Sequence, residues 1–452
     1  MPAKCPIFSA LLLFGACAES SIDIADTSTG TPDTEGTGDT GDTADSNGGP
    51  VLLKSDLPRD RNPLGDPVEA QLLIDENHQL ASDLYAAVDT SQNVALSPLS
   101  FQYAFSLLHV GAAGETASQL AHVLTKSSNV DQVPVHYNAL DLELSSRNAT
   151  DESEFGELSL KFANAMFARP DFNPGKAYLD SLATHFGAGL YLEDFAGDPE
   201  LARQHINTWV EENTNGRIKD LLAPGVVNEA TNFHLVNALY FKAAWREPFP
   251  PGLTTEDDFY VDDGDVAVAS QTMHADFLHA IRYAKLEGGE QVVEMELGSG
   301  DLVFGALLAE KGKFASVAEK FTPTFFNELD ESLARAGVHL SLPKFAVKFG
   351  SASFFEYFAE NQGLEAAFNE GDYSKMFDTG AEKSFPITSL EHQAFVAIDE
   401  NGVEATAATS LGSDESGTDV WHDVVFNRPF FYYIRDLPTG AVLFVGSVVD
   451  PR

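Results

Sequence analysis

Cysteine is nearly absent from this chain. Only Cys5 and Cys17 occur in 452 residues, both at the extreme N-terminus. Everything downstream is therefore without a disulfide and without a thiolate metal site. Basic residues are scarce too: 27 Lys and Arg stand against 69 Asp and Glu, a formal net charge of −42. That balance argues against nucleic acid as a partner, because phosphates are held through Lys and Arg. No apolar run is long enough for a transmembrane helix of the mature chain, and no repeat of fixed period is found. His-Glu-x-x-His, Gly-x-Ser-x-Gly and Gly-Lys-Ser/Thr are all missing, and no two histidines stand at metal-ligand spacing. The sequence thus offers no basis for an enzyme, for a metal or for a cofactor.

What is present begins with an export signal. Lys4 precedes the apolar run Ile7–Ala16, which has signal-peptide anatomy and is too short to span a bilayer. Phe14-Gly-Ala-Cys17 resembles the bacterial lipobox, in which the cysteine is lipidated and becomes the mature N-terminus. Phe14 stands where leucine is usual, and ordinary cleavage near Ala16 or Ala18 is the alternative. Residues 1–17 are read as signal peptide and lipobox. The expectation is an exported protein, an outer-membrane or cell-surface lipoprotein anchored through Cys17, or otherwise a secreted one. Residues 18–65 are read as a disordered acidic linker, since Glu19 to Pro50 is dominated by Thr, Gly, Asp and Ser and cannot bury enough apolar surface to order itself. Asp39-Thr-Gly41 matches the aspartic-protease triplet but lacks the apolar strands that would hold a catalytic aspartate. The aspartate spacing hints at calcium but lacks a terminal bidentate Glu. A solvated linker accounts for both.

Residues 66–452 read as one α+β domain, and a hydrophobic content of 44% supplies its core. Within it, Glu400 to Leu411 is hard to justify as a loop. At period two, Val403, Ala405, Ala407, Thr409 and Leu411 point one way and Glu404, Thr406, Ala408 and Ser410 the other. Glu404 falls on the outward parity and need not be buried. Gly412 to Asp423 is polar and acidic. Strand-like runs at Phe426–Arg435 and Ala441–Val449 follow, separated by Asp436-Leu-Pro-Thr-Gly440. A potential strand therefore hangs between a sheet and an exposed polar tip.

These residues resemble the serpin family. So do, in the family's order, Ser97-Pro-Leu-Ser-Phe101 with Gly111-Ala-Ala-Gly-Glu-Thr116, then Ile206-Asn-Thr-Trp-Val210 with Thr214-Asn-Gly-Arg-Ile218. Leu235 to Trp245, Leu342-Pro-Lys-Phe345, Phe426-Asn-Arg-Pro-Phe430 and Leu443-Phe-Val-Gly446 complete the series. The resemblance implies three β-sheets, about eight or nine surrounding helices and an exposed reactive-centre loop at about 400–425. It implies a monomer that inhibits serine proteases as a suicide substrate, with cysteine proteases as possible further targets. The protease cuts the loop and forms an acyl-enzyme. The loop then enters the main sheet as a strand and carries the protease with it.

The resemblance also assigns residues. Glu400, Gly402, Val403, Ala405, Ala407, Ala408 and Thr409 match the loop hinge. Ser97, Ser100, Asn237 and His392 match a polar shutter beneath the central strands, and Trp245 with Glu400 the breach where entry begins. Counting from Glu400 places the reactive bond at Ser416–Gly417; counting back from Phe426 places it near Thr418, and Glu415 or Asp414 could serve an acidic-specific protease. No Lys or Arg lies between Gly402 and Phe426, which disfavours a trypsin-like target and suggests an elastase- or subtilisin-like one. The acidic surface is read as solvation, with steering toward basic proteases as the sharper alternative. A non-inhibitory binding or scaffold protein on the same fold is the other reading.

Overall fold

Helices begin where side chains can satisfy the free backbone amides. The computed structural model describes residues 49–126, 129–150, 153–261, 264–320, 322, 324–351, 354–378, 384–385, 387, 390–404 and 420–452. Helix α1 (Pro67–Ala87) is capped by Asp66, whose carboxylate accepts the Val68 amide at 2.8 Å, with proline at the first position. Helix α2 (Pro98–Gly111) repeats the device: Ser97 Oγ accepts the Ser100 amide at 3.2 Å. Almost every residue of α2 is buried, so it is a central helix rather than an amphipathic one. Around it lie α3 (Gly114–Thr125), α4 (Val133–Ser145) and α5 (Lys176–Phe186). Helix α6 (Pro199–Asn213) is capped by Asp198 on the Leu201 amide. Four shorter helices follow, α7 (Phe314–Lys320), α8 (Phe325–Ser332), α9 (Phe354–Asn361) and α10 (Glu365–Asn369).

The main sheet has seven strands. They are β1 (Val51–Leu53), β3 (Leu158–Ala168), β4 (Leu190–Leu192), β5 (Phe233–Ala244), β11 (Phe345–Ser351), β14 (Glu391–Asp399) and β15 (Gly402–Val403). Their order is β1-β4-β3-β5-β15-β14-β11. The second network joins β2 (Val94–Leu96), β6 (Thr255–Tyr260), β7 (Ala267–Lys285), β8 (Gln291–Leu297) and β9 (Leu302–Leu308). It continues through β10 (Ala334–Pro343), β16 (Trp421–Val425), β17 (Phe430–Asp436) and β18 (Val442–Val448). Strand β7 is long enough to pair with three other strands of this network. Ala267–Thr272 pairs with β6, Thr272–Tyr283 with β10 and Ile281–Lys285 with β8. A pair of two-residue strands, β12 (Gly371–Asp372) and β13 (Ser384–Phe385), stands apart. The architecture is the expected α+β one.

The principal core fills the space between the main sheet, α1, α2 and the β17–β18 hairpin. A second cluster lies on the opposite face of the main sheet. There Ala202, Ile206 and Val210 of α6 and Ile218, Leu221 and Leu222 beyond it cover Ala163, Ala165, Val236 and Ala238. Strands β3 and β5 are thus covered on both faces.

Two sequence expectations need correction. The linker assigned to 18–65 does not reach 65: from Gly49 onward the chain is laid on the body. Strand β1 pairs antiparallel with β4 and adds an edge strand to the main sheet. Ser55 Oγ donates to Asp180 at 2.5 Å and the Asp60 amide to Thr184 O at 2.9 Å, fastening the segment to α5. Arg59 binds Asn138 at 2.8 Å and Asp141 at 2.5 Å, fastening it to α4. The composition hid this because few apolar side chains are involved; backbone pairing and ion pairs hold the strap. The end of the polar stretch 412–423 is also not exposed loop. Trp421–Val425 pairs parallel with β10, and the Trp421 indole stacks on His339 at 4.5 Å.

A parted seam in the main sheet as candidate functional site

The two central strands of the main sheet run parallel and are joined at one end only. Glu391–Ala394 of β14 pairs with Val236–Leu239 of β5. At the other end β15 lies between them, Gly402 and Val403 facing Ala244 and Ala243 on one side and Asp399 and Ile398 on the other. Among the described residues no ladder joins Tyr240–Lys242 to Phe395–Ala397. The seam is therefore closed below, wedged open above, and unpaired between.

Glycine is essential at the wedge. Gly402 has φ +146°, and a Cβ there would stand 2.2 Å from the Ala243 carbonyl oxygen. Val403 is buried. The expected breach residues hold the chain that leads in. The Trp245 amide donates to Asn401 O at 2.9 Å and its indole to Asp399 O at 2.8 Å, with the ring packed on Phe304 and Phe249. Glu400 accepts Thr254 Oγ1 at 2.7 Å and Lys344 Nζ at 2.8 Å. Partial burial pushes its carboxyl up, but Lys344 and Thr254 outweigh that and hold it below the usual range.

Glu404 contradicts its expected exposure. Its side chain is only 3% exposed, with Oε2 accepting Arg217 Nε at 3.1 Å. The strand ends at Val403, and the turn after α6 brings Arg217 to the Glu404 carboxylate. Burial pushes the Glu404 carboxyl up, against the opposing pull of Arg217 and then Lys242.

The four expected shutter residues meet at the joined end of the seam. Asn237 and His392 are register partners, with His392 Nδ1 and Asn237 Oδ1 3.1 Å apart. Ser100 Oγ donates to Asn237 Oδ1 at 2.7 Å, and Asn237 Nδ2 donates to Ser100 O. The Ser97 amide lies 3.3 Å from His392 Nε2. A fifth member went unpredicted: Asn164 of β3 faces Asn237 across the ladder and accepts its Nδ2 at 2.9 Å. Its signal was a polar residue in the apolar strand Phe162-Ala-Asn-Ala-Met166. His392 stacks on Phe101 at 4.3 Å, and full burial pushes its imidazole down to about 3. The ring is neutral at ordinary pH and works as a hydrogen-bonding hub.

Ala405, Ala407, Ala408, Thr409, Glu415, Ser416, Gly417 and Thr418 lie outside the described residues, as does Cys17. Among the described residues no three His, Cys, Asp or Glu side chains converge on a metal position, and no helix is long and apolar enough to cross a membrane.

The profile of the family described as Serpin (serine protease inhibitor) matches residues 75–451. The chain belongs to the serpin family. Serpin-ZXA of Oryza sativa subsp. japonica is 30% identical over 376 residues, 82% of this chain and 93% of that one. Leukocyte elastase inhibitor A of Rattus norvegicus is 30% identical over 387 residues, covering 83% and 98%. Among solved structures, the thermophilic serpin tengpin in its native state superimposes with a TM-score of 0.74 at 24% identity, covering 89% of this chain and all of that one. A thyroxine-binding globulin in complex with thyroxine gives 0.72 at 23%, covering 84% and 99%. These likenesses establish the serpin fold, and a family of protease inhibitors rather than catalysts agrees with the enzyme-free reading.

Proposed function

We propose that this serpin is an inhibitory one, which traps a serine protease as an acyl-enzyme and inserts its cleaved loop into the main sheet. The observation that carries the reading is the seated hinge: Gly402 and Val403 already occupy the place of a new strand between β5 and β14. Both of Val403's pairings extend to the same outcome. Continued residue by residue, they bring Thr409 between Asn237 and His392, and Ser413 opposite Phe233 at the far end of β5. An entering strand would then part the shutter pair with a residue whose hydroxyl can replace the lost bond. The reactive bond belongs beyond Ser413, which suits Ser416–Gly417 and leaves Glu415 and Thr418 as alternatives. The cation-free bait favours an elastase- or subtilisin-like target. We further propose export and anchoring at a bacterial envelope through lipid on Cys17.

The test is a gel assay of the full chain with elastase-, subtilisin-, glutamyl- and trypsin-like proteases, run in boiling SDS with mass spectrometry of the released peptide. A band at the summed mass supports trapping, and the peptide's N-terminus locates the bond. Nicking of the loop without a complex by every protease that cuts it would favour a non-inhibitory scaffold. The mass of the N-terminal peptide of envelope-purified protein reads the anchor separately.

A further inference from the structure

The seated hinge stops at Glu404. Its amide still donates to Ala397 O of β14 at 3.2 Å, but the backbone turns to φ +55°, a left-handed conformation unfavourable for a residue with a Cβ. The pairing with β5 ends one residue earlier, at Val403 and Ala243. One carboxylate oxygen binds Arg217; the other, Oε1, is buried and meets no donor among the described residues. The charged and titratable neighbours can be named element by element. Arg217 comes from the turn after α6, half exposed and lying over the Phe395 ring of β14 at 5.8 Å. Tyr240 and Lys242 come from β5, and Lys242 is itself paired with Glu157 ahead of β3. From β14 come the Ala397 carbonyl, which accepts the Glu404 amide, and the Phe395 ring beneath Arg217, neither of which titrates. Seated, the carboxylate is buried and half satisfied; withdrawn, it would be fully hydrated.

We propose that Glu404 makes the seating of the hinge depend on pH: protonated it keeps β15 in the sheet, ionised it favours withdrawal, and Arg217 moderates the change. The proposal rests on the inhibitor reading, because a withdrawn hinge frees the bait loop for capture, but its test does not. The sign follows from burial. The seated carboxyl holds its proton more tightly than a solvated one, whose ordinary value is 4.5. Seating is therefore favoured most at or below that value and weakens as pH rises through the elevated one.

Hydrogen exchange of the peptide spanning Glu400–Glu404 in the full chain reads the seating directly, after correction for intrinsic rates, from the ordinary carboxyl value of 4.5 upward to about pH 8. Wild-type protection should fall as pH rises. Glu404→Gln should remain protected and flat with pH, since an amide cannot ionise. Arg217→Ala should lose on the order of tenfold in protection at pH 8, the scale of one charge-assisted hydrogen bond. Equal profiles for wild type and Glu404→Gln, or wild-type protection that rises with pH, would overturn the proposal. The expected exchange without SDS-stable complexes would leave the switch standing and remove the inhibitor reading. Complexes with flat exchange would do the reverse.

Discussion

Gly402 is required by space more than by flexibility. Because a Cβ would collide with the Ala243 carbonyl, Gly402→Ala should drive β15 out of the seam. We expect hinge protection to be lost at every pH, with the Trp245 emission shifting as its indole loses the Asp399 carbonyl. Removing the amide that centres the shutter, Asn237→Ala, leaves Ser100 and His392 without their partner. That should lower stability by about 2 kcal/mol, read from the denaturant midpoint. The buried histidines set the acid response. Burial pushes His109 and His234 down to about 4 and His392 to about 3. The unfolded chain takes up these protons near 6.5 and the folded chain does not. Their contribution is intact above 6.5, and Tm should drop as pH falls below it. His109, whose ring nitrogens find no hydrogen-bond partner among the described residues, should on replacement His109→Phe make that drop shallower. At this scale the motif residues were legible, because the chemistry of a side chain is written in the sequence. The burial of Glu404 was not, because it depends on Arg217 arriving from a distant turn.

At the scale of elements, the strap and α6 both bear on the β5 side of the seam, the strap at the sheet edge and α6 over β3 and β5. Strap residues stitch β4, α4 and α5 into one unit at the edge of the sheet. Breaking the partly buried Arg59–Asp141 pair by Arg59→Ala should cost about 2 kcal/mol, and Asp141→Asn a similar amount. The double variant should lose little more, since one interaction is removed twice. The segments that form α2 and α6 carry motifs visible in the sequence, Ser97–Phe101 and Ile206–Val210. Strand β1 and strand β16 could not be read from it, because three to five residues of unremarkable composition become strands only when an edge with free carbonyls and amides is offered to them.

At the scale of the molecule, the described residues leave Tyr240–Lys242 and Phe395–Ala397 of the central strands without a ladder between them, and insertion of the loop would join them. A completed sheet has more ladder bonds and more buried side chains than a parted one. Nicking between Glu404 and Val420 should therefore raise Tm by at least about 10 °C if the loop inserts, an increment that a few kcal/mol would not supply in a domain of this size. Differential scanning calorimetry of nicked and intact protein decides it, and an unchanged Tm would mean that the loop stays out.

The amino-acid sequence alone determined the family and the α+β class, and it pointed to residues that meet at the seam, because ordered motifs and period-two patterning are local properties. The scarcity of cysteine and of basic residues argued against disulfides and against nucleic acid as a partner. Tertiary structure decided how far the hinge is seated, that Glu404 is buried against Arg217, and that residues 49–65 are part of the body. Each of these turns on which surfaces meet across long chain separations, and burial, register and ion pairing exist only once they have met.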